Sequence, residues 1–424
     1  MPESGRLDRR LGTADAVVIG LGSMIGAGVY AAFGPAARAA GAGLLAALLL
    51  AAVVAYCNAV ASAQLAASYP ESGGSYVYGR RRLGAWWGFT AGWGFVVGKT
   101  ASCAAMALTF AAYAVPGHPL AQRLVGVLAV LALAGLNYRG VTKTAALSRL
   151  LVALSLLSLT VLVAAVWAGR HHSGQWAFPG SGGVRGLLQA AGLLFFAFAG
   201  YARIATMGEE VRDPGRTIPR AIPLALGIAV AVYAVVGISA LAAAGPAGLA
   251  AASAPLDAAV HAAGAGSVAP VVRFGAAVAS LGALLALIAG IGRTSLAMAR
   301  NRDLPGWLAA VHPRFRVPHR AELALAVLVG VLVLTTDLRG VIGFSSFGVL
   351  VYYAIANAAA FSQPAGQRRW PRALNVLGLL GCLVLVASLP VVSVLAGSAM
   401  FGIGLAGRAL VLRQRGSRSG RRSR

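Results

Sequence analysis

Two stretches of the sequence combine glycines with an apolar setting, and both are candidates for a binding site. The stretch GLGSMIGAGVY, Gly20–Tyr30, holds four glycines and one serine within an apolar run. The stretch FFAFAGYARIATMGEE places Gly200, Arg203 and Thr206 in or just beyond a second run. Glycine inside a helix costs about 1 kcal/mol relative to alanine. A helix interrupted there frees N–H groups for an anion and C=O groups for a cation.

The elements that carry these stretches are predicted membrane spans. Of the 424 residues, 58% are hydrophobic and 11% are charged, whereas soluble domains carry roughly 25% charged residues. Apolar runs of roughly the 20 residues that a helical span requires recur along the chain. The sequence therefore predicts an all-α integral membrane protein. Its twelve predicted spans are residues 14–38, 41–67, 85–115, 121–138, 147–168, 187–207, 219–244, 268–297, 321–336, 340–362, 372–388 and 390–412.

The net charge is +25, but the positive residues are distributed as expected for a membrane protein, so the charge does not indicate a nucleic-acid partner. Most lysines and arginines lie before the first span and after the even-numbered spans. This alternation predicts that both termini are cytoplasmic. The basic tail, residues 413–424, is predicted to be attracted to anionic lipid. Arginine outnumbers lysine 34 to 2 in a chain rich in alanine and glycine, which is typical of a GC-rich bacterial genome and suggests the inner membrane of a bacterium.

The two glycine-containing stretches lie in spans 1 and 6, which are five spans apart. Two sets of five spans give inverted halves, and interrupted helices at corresponding places in such halves mark transporter substrate sites. Donors and acceptors side by side suit a free amino acid, which carries both charges on one carbon. The alternative is close helix packing, because Gly22 and Gly26 have the small-xxx-small spacing.

Four segments carry a family resemblance: GLGSMIGAGVYAAFGPAA, YPESGGSYVYGRRRLGAWWGFTAGW, FFAFAGYARIATMGEEVRDPGRTIPRAIP and GRTSLAMARNRDLPGWLAAVHPRFRVPHRAEL. They resemble the amino acid–polyamine–organocation permeases, closest to the cationic amino acid transporter branch. The resemblance implies a LeuT-like five-plus-five inverted repeat in which helices 1 and 6 are broken. It assigns residues 13–362 to the transport core and residues 363–412 to two peripheral spans. Residues 1–12 and 413–424 are then cytoplasmic ends.

The resemblance also implies a substrate site built from backbone groups of the two breaks. The N–H groups of Ala27 and Gly28 would hold the substrate carboxylate. The carbonyls that would receive its ammonium are those of Met24, Phe196 and Ala199. The remaining candidate residues, among which Phe198 and Tyr201 would shape or gate the site, are Ser23, Ile25, Gly26, Phe198, Gly200, Tyr201 and Ala202.

Two positions depart from the family pattern, and two cations have no family role. Ala202 stands where the family often has an acid, and Ser155 stands where proton-coupled relatives often carry lysine. A cation such as Lys99 in span 3 costs roughly 3 kcal/mol unless it faces a cavity or a partner. Lys99 is therefore a pocket charge or proton carrier, or else a structural residue bonded to broken-helix carbonyls. Arg203 stays protonated and could replace a coupling cation at carbonyls of span 1.

The two breaks and the family resemblance predict a secondary active amino acid permease that works by alternating access and is coupled to protons, and these departures favour neutral or acidic substrates. The alternatives are an amino acid exchanger and a transporter of cationic amino acids or polyamines. Glu209 and Glu210, just after span 6, are predicted inner-gate partners of arginines.

Other function classes find little support in the sequence. A membrane-embedded enzyme usually shows clusters of histidine or acidic residues within its spans, but the six histidines here are predicted to lie in loops. The pair His171–His172 has no third metal ligand near it in sequence. The sequence shows no glycine-rich phosphate loop and no channel filter motif. We therefore predict no metal and no cofactor.

Overall fold

The computed structural model describes residues 11–71, 73–139, 145–169, 182–208 and 210–422, and its regular structure is helical. An isolated parallel bridge joins Leu11 to Val211. The helices are α1 Thr13–Met24, α2 Ala27–Ala31, α3 Phe33–Ala40, α4 Leu44–Ser68, α5 Ser75–Arg82, α6 Ala85–Ala114, α7 Pro119–Tyr138, α8 Ala145–Ala168, α9 Gly183–Phe198, α10 Ala202–Ala205, α11 Pro214–Ala251, α12 Pro255–Ala262, α13 Ala269–Arg300, α14 His319–Thr335, α15 Leu338–Phe361, α16 Arg372–Ser388 and α17 Val391–Arg422.

The predicted spans coincide with these helices, and their edges differ by a few residues. Within the described residues, ten helical segments are long and apolar enough to cross a membrane. The two remaining predicted spans, the ninth and eleventh, are α14 and α16, which have 17 residues each. At about 1.5 Å per residue, each of these two helices is slightly shorter than a typical hydrocarbon core.

Sequence signals explain several helix boundaries. Helices α7, α11, α12 and α13 have proline in their first turn, where the missing N–H costs no hydrogen bond. Asp337 caps α15 by accepting a 3.0 Å hydrogen bond from the N–H of Gly340. Gly41, with φ of 57°, separates α3 from α4. His261 and His319 lie in α12 and α14, so the prediction that every histidine lies in a loop is wrong for these two.

The helix contacts pair up as a five-plus-five repeat requires. The first span packs on the seventh (α1 on α11), and correspondingly the sixth packs on the second (α9 on α4). The third span packs on the tenth (α6 on α15), and the eighth packs on the fifth (α13 on α8). A short helix follows the second span of each half, α5 in one and α12 in the other. If five is added to each span number of the first half and subtracted from each of the second half, one contact of each set becomes the other.

Burial separates central helices from lipid-facing ones. The most hydrophobic windows of α6 and α15 are 72% and 83% buried, whereas those of α7 and α17 are 11% and 17% buried. The central helices are rich in alanine and glycine, which lets helices approach closely in a membrane. The outer helices expose large apolar side chains to the surroundings, including Leu120, Leu128, Leu131, Leu380 and Leu383.

One acidic residue ties three elements together at the end of the bundle where α1 begins, called here the N-terminal face. Asp303 follows α13 and accepts hydrogen bonds from Arg80 at 3.2 Å, Arg408 at 2.7 Å and Tyr76 at 2.8 Å. The guanidinium of Arg408 lies 4.6 Å from the ring centre of Phe89. Burial and the carboxylate of Asp303 raise the pKa of Tyr76 to about 12, so its hydroxyl remains a donor.

We expect Asp303→Asn to destabilise the protein by about 3 kcal/mol, because removing one member of a buried ion pair leaves the other charge uncompensated. The side chains of Asp303 and Arg408 are 5% and 8% exposed. The measurement is the midpoint of thermal unfolding in detergent. The control is Glu71→Gln, which breaks an ion pair with Arg81 whose side chains are about half exposed and should cost under ~1 kcal/mol. Equal shifts for the two variants would contradict this role of Asp303.

Candidate functional site

The first span is broken as the sequence predicts. Helix α1 ends at Met24, and Ile25 (φ −78°, ψ 63°) and Gly26 (φ −114°, ψ −142°) leave the helical region. Helix α2 begins at Ala27 and continues through the helical residue Ala32 into α3. The N–H groups of the first turn of α2 therefore have no acceptor within the helix.

The sixth span is tightened rather than unwound, which differs from the sequence prediction of a second break. A 3₁₀ turn, Ala199–Tyr201, joins α9 to α10, and Ala199 keeps a near-helical φ of −64° and ψ of 1°. A 3₁₀ turn changes the hydrogen-bond register and so releases carbonyl groups without an extended segment. Side chains from other spans bind the carbonyls of this turn, which explains how the chain keeps a helical course here.

The two interrupted regions touch through glycine. A Cβ built on Gly200 would overlap the backbone of Ser23, and one built on Gly28 would lie 2.6 Å from Cα of Ala197. Real Cβ atoms do not approach other atoms so closely, so both positions require glycine for packing. Close packing is therefore part of the role of these glycines.

The predicted small-residue pair of the first span meets different neighbours. A Cβ on Gly22 would lie 2.8 Å from Cγ2 of Val152, and one on Gly26 would lie 2.9 Å from Cβ of Ala283. Gly22 thus packs on α8 and Gly26 packs on α13. The spacing of these two glycines does not mark one helix–helix interface.

Side chains from the neighbouring spans bind the carbonyls at both interruptions. The hydroxyl of Tyr233 donates to the carbonyls of Met24 at 2.5 Å and Ala197 at 2.9 Å. The Nζ of Lys99 donates to the carbonyl of Ala199 at 3.2 Å, and the hydroxyl of Tyr353 donates to the same oxygen at 3.3 Å. Two of the three carbonyls assigned to a substrate ammonium are thus bound by the protein itself.

A cavity of about 690 Å³ runs to the N-terminal face from the 3₁₀ turn of the sixth span and from Ser23, just before the break in the first span. It passes between the first, third, sixth and eighth spans. This volume is in the range of small-molecule sites, roughly 300–1,000 Å³. The lining residues are Leu11, Ser23, Gly73, Phe95, Lys99, Met106, Ala199, Gly200, Ala202, Arg203, Thr206, Glu210, Ala283, Ala286, Leu287, Gly290, Arg293, Thr294 and Ala297.

The charged groups of this cavity are mostly cationic. Lys99, Arg203 and Arg293 are positive, and Glu210 is the acid among the lining residues. Arg203 lies 3.8 Å from Glu210, so these two charges offset each other. Lys99 and Arg293 form no ion pair with a carboxylate in the described part of the chain. The cavity therefore favours a ligand that brings negative charge.

The opposite end of the site is closed. Tyr30 and Tyr113 are almost completely buried, and their rings meet edge to face with centres 5.7 Å apart. The hydroxyl of Tyr113 donates to the carbonyl of Tyr30 at 2.8 Å and accepts from the N–H of Leu256 at 3.1 Å. The second half of the broken first span is thereby bound to α6 and to the first turn of α12.

The model of the family described as "Amino acid permease" matches residues 11–404 of this chain, which include every element of the cavity. The chain belongs to the amino acid permease family. This membership agrees with the expected amino acid–polyamine–organocation superfamily and with an all-α membrane protein, and it assigns the chain to transporters rather than enzymes.

Relatives of the permease are named as transporters. It is 61% identical over 401 residues to a transporter of Mycobacterium tuberculosis, covering 94% of this chain and 90% of that one. It is 28% identical over 417 residues to the branched-chain amino acid permease of Bacillus subtilis, covering 90% and 88%. It is 29% identical over 388 residues to the chloroplastic cationic amino acid transporter 7 of Arabidopsis thaliana, covering 84% and 66%.

The structure of the permease brings part of the predicted site to the cavity wall. The predicted residues that line the cavity are Ser23, Lys99, Ala199, Gly200, Ala202, Arg203 and Glu210. Those in the packed seam behind the wall are Met24, Ile25, Ala27, Gly28, Phe198 and Tyr201, each at most 1% exposed or without room for a Cβ, together with Gly26 and Phe196. Glu209 lies outside the described residues.

Several predicted roles differ from what the structure shows. Ser155 is buried and its carbonyl accepts from Tyr30 at 3.5 Å, so it belongs to the closed end rather than to the cavity wall. Arg203 lies against Glu210 of its own segment and not at a carbonyl of the first span. Arg203 lies in α10, and Glu210 lies in a turn that follows this helix.

Sequence reasoning missed Arg293, Tyr233 and Tyr353. Arg293 lies inside the predicted eighth span, and that position was a readable signal because charges within spans usually face a cavity. Tyr233 and Tyr353 gave no comparable signal, since a single tyrosine in an apolar helix is usually a core residue.

We expect Gly200→Ala to weaken ligand binding at least tenfold, because its methyl group would overlap the backbone of Ser23 and so distort the turn that lines the cavity. The control is Gly290→Ala, which also changes a cavity-lining glycine but places its methyl in open space. Ligand-induced thermal shifts across the amino acids measure binding, and gel filtration shows whether each variant is folded. Normal binding by Gly200→Ala would mean that the contact does not shape the site.

Proposed function

We propose that the protein is a secondary active amino acid permease in which the substrate binds at the interruptions of the first and sixth spans. The observation that supports this proposal is the cavity. From one face it reaches the 3₁₀ turn of the sixth span and Ser23, which lies just before the break in the first span, while tyrosines close the other end. A site open to one side and sealed on the other is what alternating access requires of each end state.

The proposed backbone roles fit the geometry of the first span. The N–H groups of Ala27 and Gly28 start a half-helix, where a substrate carboxylate is favoured by free donors and by the helix dipole. Because the side chains in this seam are buried, the substrate would reach these groups only after Ser23 and Gly200 separate slightly. The rings of Phe198 and Tyr201 pack at a tilt against those of Tyr233 and Tyr353, with ring centres 5.1 Å and 5.0 Å apart, and would move with that separation.

The proposed substrates are neutral or acidic amino acids. Ala202 contributes no charge to the wall, three of the four charged residues of the lining are cations, and Lys99 forms no ion pair with a carboxylate in the described part of the chain. A further cation on the substrate would be repelled at such a site. Transport of cationic amino acids or polyamines, the alternative within the same fold, would require acids that the described cavity wall does not offer beyond Glu210.

The proposed coupling ion is the proton, with Lys99 as its carrier. Lys99 is 7% exposed, lines the cavity and can lose its proton in an apolar setting, whereas the arginines stay protonated. A substrate carboxylate binds best when Lys99 is charged, so substrate and proton would move together. The pair Arg203–Glu210 would act as an inner latch between the cavity and the N-terminal face.

The proposed location is the cytoplasmic membrane of a bacterium with the N-terminal face inside. The distribution of lysine and arginine supports this orientation, and basic segments on that side would contact anionic lipid. The cavity would then be open to the cytoplasm.

We expect reconstituted protein to take up alanine, serine or glutamate and to exclude arginine, because the wall carries excess positive charge. Radiolabelled uptake into proteoliposomes measures this preference. Empty liposomes are the control. Strong arginine uptake without uptake of the other three would overturn the proposed substrate class.

We expect uptake to proceed without sodium at constant pH and to accumulate substrate when the interior is alkaline. Lys99→Gln should lose accumulation driven by the pH gradient, because glutamine cannot carry a proton. A requirement for sodium, or unchanged pH-driven accumulation by the variant, would contradict proton coupling through Lys99. Uptake that occurs only with amino acid loaded inside would identify the alternative function, an amino acid exchanger.

A further inference from the structure

The carbonyl of Ala199 already accepts a hydrogen bond from an ammonium group of the protein itself. The Nζ of Lys99 donates to this oxygen at 3.2 Å from the third span. The oxygen lies in the 3₁₀ turn of the sixth span, at the inner end of the cavity. The family resemblance implies that this carbonyl is one that an amino acid ammonium would use. Two ammonium groups at one carbonyl repel each other, so they compete for it.

The other acceptors near this position are occupied in the same way. The carbonyl of Met24 accepts from Tyr233 and from the N–H of Gly26 at 2.8 Å. The hydroxyl of Tyr353 shares the Ala199 oxygen with Lys99. An incoming ammonium would have to displace these donors. An incoming carboxylate would displace none of them.

The charge of Lys99 is uncompensated within the described residues. Its Nζ bonds to a neutral carbonyl, and Glu210, the acid of the cavity wall, lies against Arg203. A buried cation held only by carbonyl groups gains strongly from a nearby anion. The cavity therefore offers a carboxylate a partner at the inner end and offers an ammonium none.

We propose that Lys99 supplies the ammonium of this site, so that the permease binds small carboxylates that lack an α-amino group as well as it binds amino acids. This inference rests on the proposed substrate site. Lys99 would then determine whether a ligand needs an ammonium group of its own. The substrate class widens to carboxylic acids of amino-acid size.

The test compares ligands that differ only in the α-amino group. The pairs are alanine with propionate, leucine with 4-methylpentanoate, and glutamate with glutarate. Binding to the purified full-length protein is measured by isothermal titration calorimetry. In the wild type, the two members of the pair that binds best should agree within about threefold, whereas loss of a charged hydrogen bond would cost roughly 10- to 100-fold.

Lys99→Met should reverse this tolerance. The deaminated acid should bind at least about tenfold more weakly, because its carboxylate has lost the Lys99 charge. The amino acid of the pair should lose clearly less affinity than the deaminated acid, because its own ammonium can take the place of Lys99 at the Ala199 carbonyl. Lys99→Gln, which keeps a neutral donor to that carbonyl, gives the same comparison if the methionine variant does not fold.

The matched control is Arg293→Met, which removes a different cation of the cavity wall. It should weaken both members of each pair equally, since Arg293 makes no hydrogen bond to the interrupted spans in the described structure. If Lys99→Met weakened binding of both members of a pair equally, the proposal would be overturned, because Lys99 would then act only as a positive charge that attracts any carboxylate.

The outcomes in the wild type separate this inference from the proposed function. If amino acids bind and every deaminated acid fails, the inference is wrong while the amino acid permease stands. If deaminated acids bind and amino acids do not, the inference holds while the amino acid preference is wrong. If no ligand of any pair binds, both are wrong.

Discussion

Backbone carbonyls released at a helix interruption within a membrane must find donors other than water, and the centre of this permease is organised by that constraint. An unsatisfied carbonyl in an apolar setting costs several kcal/mol. Here the hydroxyl of Tyr233 bonds to Met24 and Ala197, one on each interrupted span. Lys99 and Tyr353 bond to Ala199. The seventh, third and tenth spans are thus fixed around the interruptions by the groups that the interruptions release.

This arrangement explains why the cavity ends where it does. The two interrupted spans must lie close enough for one tyrosine to reach both, and the glycines at positions 28 and 200 permit that approach. Close contact excludes water from the seam, so the cavity begins at Ser23 and Gly200 rather than between the broken ends. A ligand therefore meets the wall formed by Lys99 and the 3₁₀ turn before it meets free N–H groups. The same glycine positions thus determine both how the two interrupted spans pack and where the cavity begins.

The sequence predicted the architecture well because the membrane constrains it strongly. Long apolar runs must be helices, and the described residues have long apolar helices where these runs lie. The prediction of a broken first span was correct because four glycines weaken one helix. The sixth span could not be read as well, since the tyrosines and lysine that hold its turn come from spans far away in sequence. Arg293 could have been identified from the sequence, because the predicted bounds of the eighth span already place this charge inside the span.

The two faces of the permease use one device to fix a short helix to a long one. At the closed end, the hydroxyl of Tyr113 accepts from the first turn of α12 at Leu256. At the N-terminal face, the hydroxyl of Tyr352 accepts from the first residue of α5, Ser75, at 3.0 Å. Tyr78 of α5 then donates to the carbonyl of Ala205 at 3.1 Å, just below the cavity wall. Each short helix follows the second span of its half, and in each a backbone N–H of the first turn is bound by a tyrosine hydroxyl of a long helix. The inverted repeat thus places one short helix, held in the same way, at each end of the bundle.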